Sequence, residues 1–276
     1  MNVRPIKDQG ILSTAAFLRA IGLPALPART HPFDPGYDPQ TVISHIEQSA
    51  HLMASLKISM ACWLVGAEEA YRAKIDFARR RGVTTVTGGG PFEIAVALGK
   101  LDHYLALCAD MGIARIEAGQ GFTDMPLAPK EVARRAAAFG LGLQFELGKK
   151  HAGAFGEDTV GGLIEQGKAW LDAGAVYLVI EARESGAGIG VFDQNGQLNC
   201  NAAERFVEAF GFDRVVFEAP NKLSQFALLA HFGDRVALSN VRLEELLRVE
   251  IFRRGLHSDA FDAEVFQRRM ALAQTA

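Results

Sequence analysis

Four times in the middle and second half of this chain an apolar run ends in a glutamate. IARIEAG covers Ile113 to Gly119, LQFELGKK covers Leu143 to Lys150, VYLVIEARESGAGIG covers Val176 to Gly190, and VVFEAPNK covers Val215 to Lys222. The glutamates are Glu117, Glu146, Glu181 and Glu218. Short runs of β-branched and bulky residues form strands buried on both faces, as the strands of a parallel sheet are. Burying an ionised group at the end of such a strand is costly unless a partner or a metal meets it. Helix-like segments separate the four runs, so the pattern directs four carboxylates to one rim of a parallel sheet.

Extending the same reading along the chain gives about eight alternations of strand and helix with no clear linker. That is the pattern of a single-domain (β/α)8 TIM barrel, which the strand count favours over a doubly wound open sheet. The barrel is expected over residues 23–276 and a short N-terminal extension over 1–22, in which Ser13 to Ile21 reads as a capped helix ending at Gly22. The first strand is expected near the proline-rich Leu23 to Phe33, a poor strand by propensity, and before a DPG turn at Asp34 to Gly36. The second is expected over Leu56 to Trp63, the third over Val83 to Thr87, the eighth over Val236 to Asn240, and a last helix over Ala263 to Ala273. Residues two apart on a strand share a face. Gln144 and Tyr177 therefore point into the barrel, and Leu143, Phe145, Leu178 and Ile180 pack on the outer helices. The same rule puts Arg183 on the face of Glu181 and Lys150 on the face of Glu146.

Composition narrows the function classes. A formal net charge of -3 gives no support for nucleic-acid binding, and the basic run Arg79 to Arg81 sits where a helix end attracts cations. The three cysteines, Cys62, Cys108 and Cys200, are odd in number and widely spaced, which fits a reducing cytoplasm better than a disulfide framework. No signal peptide and no run of the ~18 apolar residues that a membrane span needs is visible. The histidines show no metal-ligand spacing, and Cys62 reads as a packed thiol rather than a nucleophile.

The chain resembles the phosphosulfolactate synthase family. The resemblance rests on FELGKK at Phe145 to Lys150, EARESGAGIGVFD at Glu181 to Asp193 and FEAPNKLSQ at Phe217 to Gln225. GGGPFE at Gly88 to Glu93 and RRGLHSD at Arg253 to Asp259 add to it. It implies a barrel lyase that adds sulfite to phosphoenolpyruvate with the help of magnesium and without an organic cofactor. The chain departs from the family after Lys57, where Ile58 to Trp63 replaces a glycine-tryptophan-glycine-threonine stretch, and at Gly90, where threonine is usual.

Such an addition leaves negative charge on the substrate carboxylate, in an enediolate-like intermediate, and a hard divalent cation held by carboxylates stabilises it well. Glu146, Glu181 and Glu218 are the candidate Mg2+ ligands. Lys150 is the candidate acid that delivers the completing proton, with Arg183 and Lys57 holding phosphate or sulfonate. Gly88, Gly89, Ser185, Gly186, Lys222 and Asn240 are candidate substrate-binding residues, the glycines through backbone N–H groups. For any single glutamate a structural ion pair with Arg183, Lys149 or Lys222 explains the charge as well as metal binding does, whereas four together favour function. The expected partner is a small phosphorylated or sulfonated molecule, and the expected assembly a homo-oligomer. A relative acting on another enol-phosphate or sulfonate substrate, or a stress-associated barrel without catalysis, is the alternative.

Overall fold

A computed structural model describes residues 13–23, 25–264, 266 and 267. Eight parallel strands hydrogen-bond in chain order: β1 Thr30–Asp34, β2 Leu56–Ile58, β3 Thr85–Thr87, β4 Arg115–Gly119, β5 Gly142–Leu147, β6 Leu178–Ile180, β7 Val215–Glu218 and β8 Ala237–Arg242. β8 pairs with β1, so the sheet closes into a barrel and the open-sheet alternative falls. A helix α1, Thr14–Ala20, precedes the barrel, capped by Ser13 as its sequence predicts. Around the sheet run α2 Pro39–Ser49, α3 Cys62–Val65, α4 Glu68–Arg80, α5 Gly89–Ala97, α6 Leu101–Asp110, α7 Pro129–Ala138, α8 Glu157–Asp172, α9 Cys200–Phe210, α10 Lys222–Phe232, α11 Leu246–Arg253 and α12 Ser258–Phe261. Among the described residues no helix is long and apolar enough to cross a membrane.

Side-chain alternation on the strands separates two cores. Leu143, Phe145, Leu178, Ile180 and Phe217 belong to the large layer between sheet and helices, where Phe145 stacks on Trp170 of α8 with ring centroids 4.1 Å apart. Val179, Val216 and Ala237, with Tyr177 against them, fill the barrel interior. Charges complement the helix dipole in α4, which begins with Glu68 and Glu69 and ends with Arg79 and Arg80.

Two elements differ from the sequence expectation. β1 begins only at Thr30, after Pro24 and Pro27, runs on to Asp34, and carries Pro32 inside it. A proline has no N–H to give the ladder, and the pairing of β1 with β8 accordingly jumps from His31↔Ser239 to Pro32↔Val241, leaving Asn240 as an unpaired bulge residue with φ 54°. β2 stops at Ile58, because Met60 turns into the left-handed region (φ 46°) and Cys62–Val65 winds into α3. The helix expected over Ala263 to Ala273 lies mostly outside the described residues, as do the first twelve residues of the N-terminal extension.

Two buried polar knots tie β1 to its surroundings. Asp34 ends the strand and its Oδ1 accepts the N–H groups of Gly36 (2.9 Å) and Tyr37 (2.7 Å), fixing the turn read from the sequence. Its Oδ2 receives Lys74 Nζ at 2.7 Å. Toward the other end, His31 Nδ1 lies 2.8 Å from Ser55 Oγ. Burial, reinforced by the charges of Arg115, Arg253 and Lys57, lowers the His31 pKa from 6.5 to about 3. Between those two values the unfolded chain binds a proton that the folded one refuses, so stability falls as pH drops through this window. Acid unfolding of the wild type should therefore show a steeper loss of stability between pH 6.5 and 3 than His31→Asn, measured by denaturant titration across that range. Equal slopes would remove His31 from the account.

Candidate active site

The C-terminal ends of the strands meet at a cavity of about 660 Å³. Its lining includes all four glutamates, Glu117 from β4, Glu146 from β5, Glu181 immediately after β6, and Glu218 at the end of β7. All four are buried, at 0–2% exposure, which is the costly burial anticipated from the apolar runs. Two ammonium groups answer them. Lys57 of β2 reaches Glu117 Oε1 at 2.7 Å, lies 3.7 Å from Glu218 Oε1, and donates to Asn240 Oδ1 at 3.3 Å. Lys150 donates to Glu146 Oε1 and to Glu181 Oε2, both at 2.9 Å.

Amides meet further oxygens of Glu117, Glu181 and Glu218. Glu117 accepts the Gly89 N–H at 3.1 Å and the Gln144 side-chain amide at 2.8 Å. Glu218 Oε2 accepts the N–H groups of Ala182 and Arg183, at 2.9 and 3.1 Å, and Glu181 Oε1 accepts the Arg183 N–H at 2.7 Å. Arg183 can make both bonds because it leaves the strand path, with φ 55°. Met60, Arg183 and Asn240 are the three non-glycine residues with positive φ among the described residues, and all three line this cavity. Backbone strain of this kind gathers at functional sites.

Electrostatics follow from burial and from counting charges. Four carboxylates face two ammonium groups, so two negative charges lack a partner if every group ionises. Burial, then the charges of Glu146 and Glu218, push Glu181 up to about 9. Glu117 is likewise raised by burial, against the pull of Lys57. Glu146 is lowered because Lys150, Lys57 and a hydrogen bond from Glu181 together outweigh its burial. Lys57 and Lys150 are both held protonated well above the usual lysine range, since the surrounding carboxylates outweigh the desolvation that opposes them.

The structure brings together most of the residues singled out from the sequence and leaves three apart. Lys57, Gly88, Gly89, Glu146, Lys150, Glu181, Arg183, Glu218 and Asn240 line the cavity. Lys222 does not: it opens α10, half exposed, and pairs with Asp259 at 2.9 Å because the first turn of that helix faces α12. Ser185 and Gly186 form a turn outside the lining, the Ser185 hydroxyl bonding Ala187 and Gly186 packing near Asn221. Gly89 gives its N–H to Glu117, so of the expected anion-binding amides this one is already engaged. Arg183 reaches the cavity from a turn rather than by strand alternation, its guanidinium donating to the Lys150 carbonyl at 3.2 Å.

Two carboxylates of consequence are not among the candidate ligands and substrate-binding residues, although Glu117 is one of the four glutamates that the sequence directs to this rim. Glu117 shares the signature of the other three and is the one bonded to Lys57. Glu93 of α5 is fully buried and accepts four hydrogen bonds from the segment after β4, a role to which no nearby residue type points.

Hard oxygen donors with surplus negative charge suit a divalent cation such as magnesium. Among the described residues no three histidine, cysteine, aspartate or glutamate side chains are gathered into a ready cage. Magnesium is commonly held by one or two carboxylates together with water and substrate oxygens. The adjacent pair Glu146 and Glu181, which share a hydrogen bond, fits that description.

Comparison with known proteins places the chain in a family. The sequence model of the family described as (2R)-phospho-3-sulfolactate synthase (ComA) matches residues 24–259. A phosphosulfolactate synthase of Methanocaldococcus jannaschii is 32% identical over 229 residues, covering 83% of this chain and 91% of that protein. Proteins of the same name from Methanothermobacter thermautotrophicus and Bacillus subtilis are 27% and 29% identical, covering 86% and 68% of this chain and 93% and 75% of their own lengths. Among solved structures, KGPDC from Streptococcus mutans superposes with a TM-score of 0.50 at 12% identity, over 91% of this chain and all of that one, a likeness of fold alone.

Proposed function

We propose, from the premise that this chain belongs to the phosphosulfolactate synthase family, that it joins sulfite to the methylene carbon of phosphoenolpyruvate. The observation that carries the reading is the pairing of Lys150 with Glu146 and Glu181 at the edge of a cavity that also holds Arg183. In the reaction the sulfur lone pair forms a C–S bond to the methylene carbon. The π electrons move to the neighbouring carbon and spread into the substrate carboxylate as an enediolate. A proton then arrives at that carbon, nothing leaves, and the phosphate ester is retained.

Lys150 is suited to deliver the proton because the two carboxylates keep it charged. The same pairing makes it slow to release the proton until something competes for Glu146 and Glu181, which ties proton transfer to occupancy of the site. Arg183 stands at the mouth with its guanidinium on the Lys150 carbonyl and His151, placed to receive a phosphate or sulfonate. Lys57 is enclosed by Glu117, Glu218 and Asn240, so its first task is to keep those acceptors oriented. Magnesium held by Glu146 and Glu181 would supply positive charge where the enediolate electrons collect.

Incubation of the purified protein with phosphoenolpyruvate, sulfite and magnesium should yield phosphosulfolactate by mass spectrometry. Absence of that product at all sulfite concentrations would overturn the assignment. Glu181→Gln should leave the fold intact, since it imitates the protonated acid, while weakening magnesium binding in a calorimetric titration. An unchanged isotherm would remove Glu181 from the ligand set.

A further inference from the structure

Lys150 cannot owe its direction to strand geometry, because β5 ends at Leu147 and Gly148 turns the chain at φ 127°. Something else must carry its ammonium group to a point 2.9 Å from two carboxylates on different strands. The neighbour that does so is the segment after β4. The Gly121 carbonyl accepts the Lys150 N–H at 2.9 Å. The Lys150 side chain then lies directly across Gly121: a Cβ at that glycine would stand 2.9 Å from Lys150 Cγ and 3.0 Å from its Cε. The segment is held from its far side by Glu93, whose carboxylate accepts the N–H groups of Gly121 (2.9 Å), Phe122 (3.0 Å) and Thr123 (2.9 Å) and the Thr123 hydroxyl (3.0 Å). Three consecutive amides on one carboxylate form an anion nest, and here the anion is part of the protein. Neither Glu93 nor Gly121 lines the cavity.

We propose that Glu93 and Gly121 are positioning residues for Lys150, the buried carboxylate fixing the segment and the bare glycine leaving room for the lysine stem on its way to Glu146 and Glu181. The stem rests on Gly121 as on a rail, and a methyl group there lifts it off. Gly121 is not in the left-handed region, so alanine adds this obstruction without backbone strain. The catalytic half of the proposal rests on the reading of Lys150 as proton donor, whereas the geometric half does not.

The test therefore has two arms on the full-length protein. In the first, without substrate, the rate of Lys150 modification by trinitrobenzenesulfonate is followed by peptide mass spectrometry, with Lys149 as internal reference. Gly121→Ala should raise the Lys150 to Lys149 rate ratio several-fold, and Glu93→Gln should raise it in the same direction. In the second, with phosphoenolpyruvate and sulfite, Gly121→Ala should lower kcat on the order of 10²-fold, as a misplacement of about 1 Å does, with a smaller change in KM. It should add no further loss in the Lys150→Ala background, because its effect passes through that side chain. An unchanged labelling ratio in folded Gly121→Ala overturns the positioning role, and so does a full additive loss in the double variant. If Glu93→Gln does not fold, Gly121→Ala decides alone. A wild type that labels as expected but turns over neither substrate sinks the proposed reaction and leaves the positioning role standing.

Discussion

Replacing Lys150 by alanine is expected to cut turnover by ~10²–10⁴-fold, the range lost with a general acid, while phosphoenolpyruvate binding changes less. The fold should survive. The substitution leaves Glu146 and Glu181 without their shared cation, but Glu181 is already driven by burial and by its neighbours toward the protonated form, and one shared proton relieves the pair. Lys149 supplies the control. It is more than half exposed and lies 4.0 Å from Asp124, so Lys149→Ala should leave turnover near the wild-type value. Steady-state kinetics on the two variants decides between them. A near-normal kcat for Lys150→Ala excludes it as the acid, whatever its position.

The second large effect is on stability and lies under the barrel mouth. Asp34→Ala should cost about 3–5 kcal/mol, the usual result of removing one partner from a buried ion pair. Lys74 is 1% exposed and has Asp34 as its sole carboxylate partner within 4.0 Å among the described residues. After the substitution it keeps the Tyr37 carbonyl at 2.6 Å and the face of the Tyr71 ring at 3.9 Å, which do not balance its charge. The N–H groups of Gly36 and Tyr37 lose their acceptor as well. Asp34→Asn keeps an oxygen for those two amides and should cost less. Replacing Lys74 by methionine in the Asp34→Asn background should recover part of the loss, since no unpaired charge then remains buried. Denaturant midpoints for the three variants give the comparison, and a loss below about 1 kcal/mol for Asp34→Ala would mean that Lys74 finds water or another anion.

What the sequence discloses here depends on whether the cause of a feature is local. Strands β4 to β7 are legible because each is an apolar run with a carboxylate at its end, and the in-and-out assignment of Gln144, Phe145, Tyr177 and Ile180 follows from alternation alone. β1 is hidden, since THPFD is neither apolar nor alternating and its partner strand bulges to accept it. β2 is overextended in the sequence reading because apolar character resumes after Ser59 and continues into the helical turn of Cys62–Val65. Lys150 is placed correctly by a parity that in fact ends at Gly148, and the true cause lies 29 residues earlier at Gly121. Glu93 could not be singled out by residue type, because its partners are backbone amides, which every sequence contains. Lys222 was attractive for standing just after a glutamate-ended strand, yet the first turn of a helix points it elsewhere.

The seam where the barrel closes carries a consequence beyond the closure itself. Opposite Pro32 the last strand slips by one residue, and the residue it ejects, Asn240, is the one whose amide oxygen meets Lys57. The first strand thereby dictates what the last one offers to the cavity, although Pro32 itself is not part of the lining. Pro32→Val, which restores an N–H, is expected to loosen this register and move Asn240 away from Lys57, as a structure of the variant would show. The seam thus ties Pro32 to Asn240 through register, even though the two never face each other across the ladder.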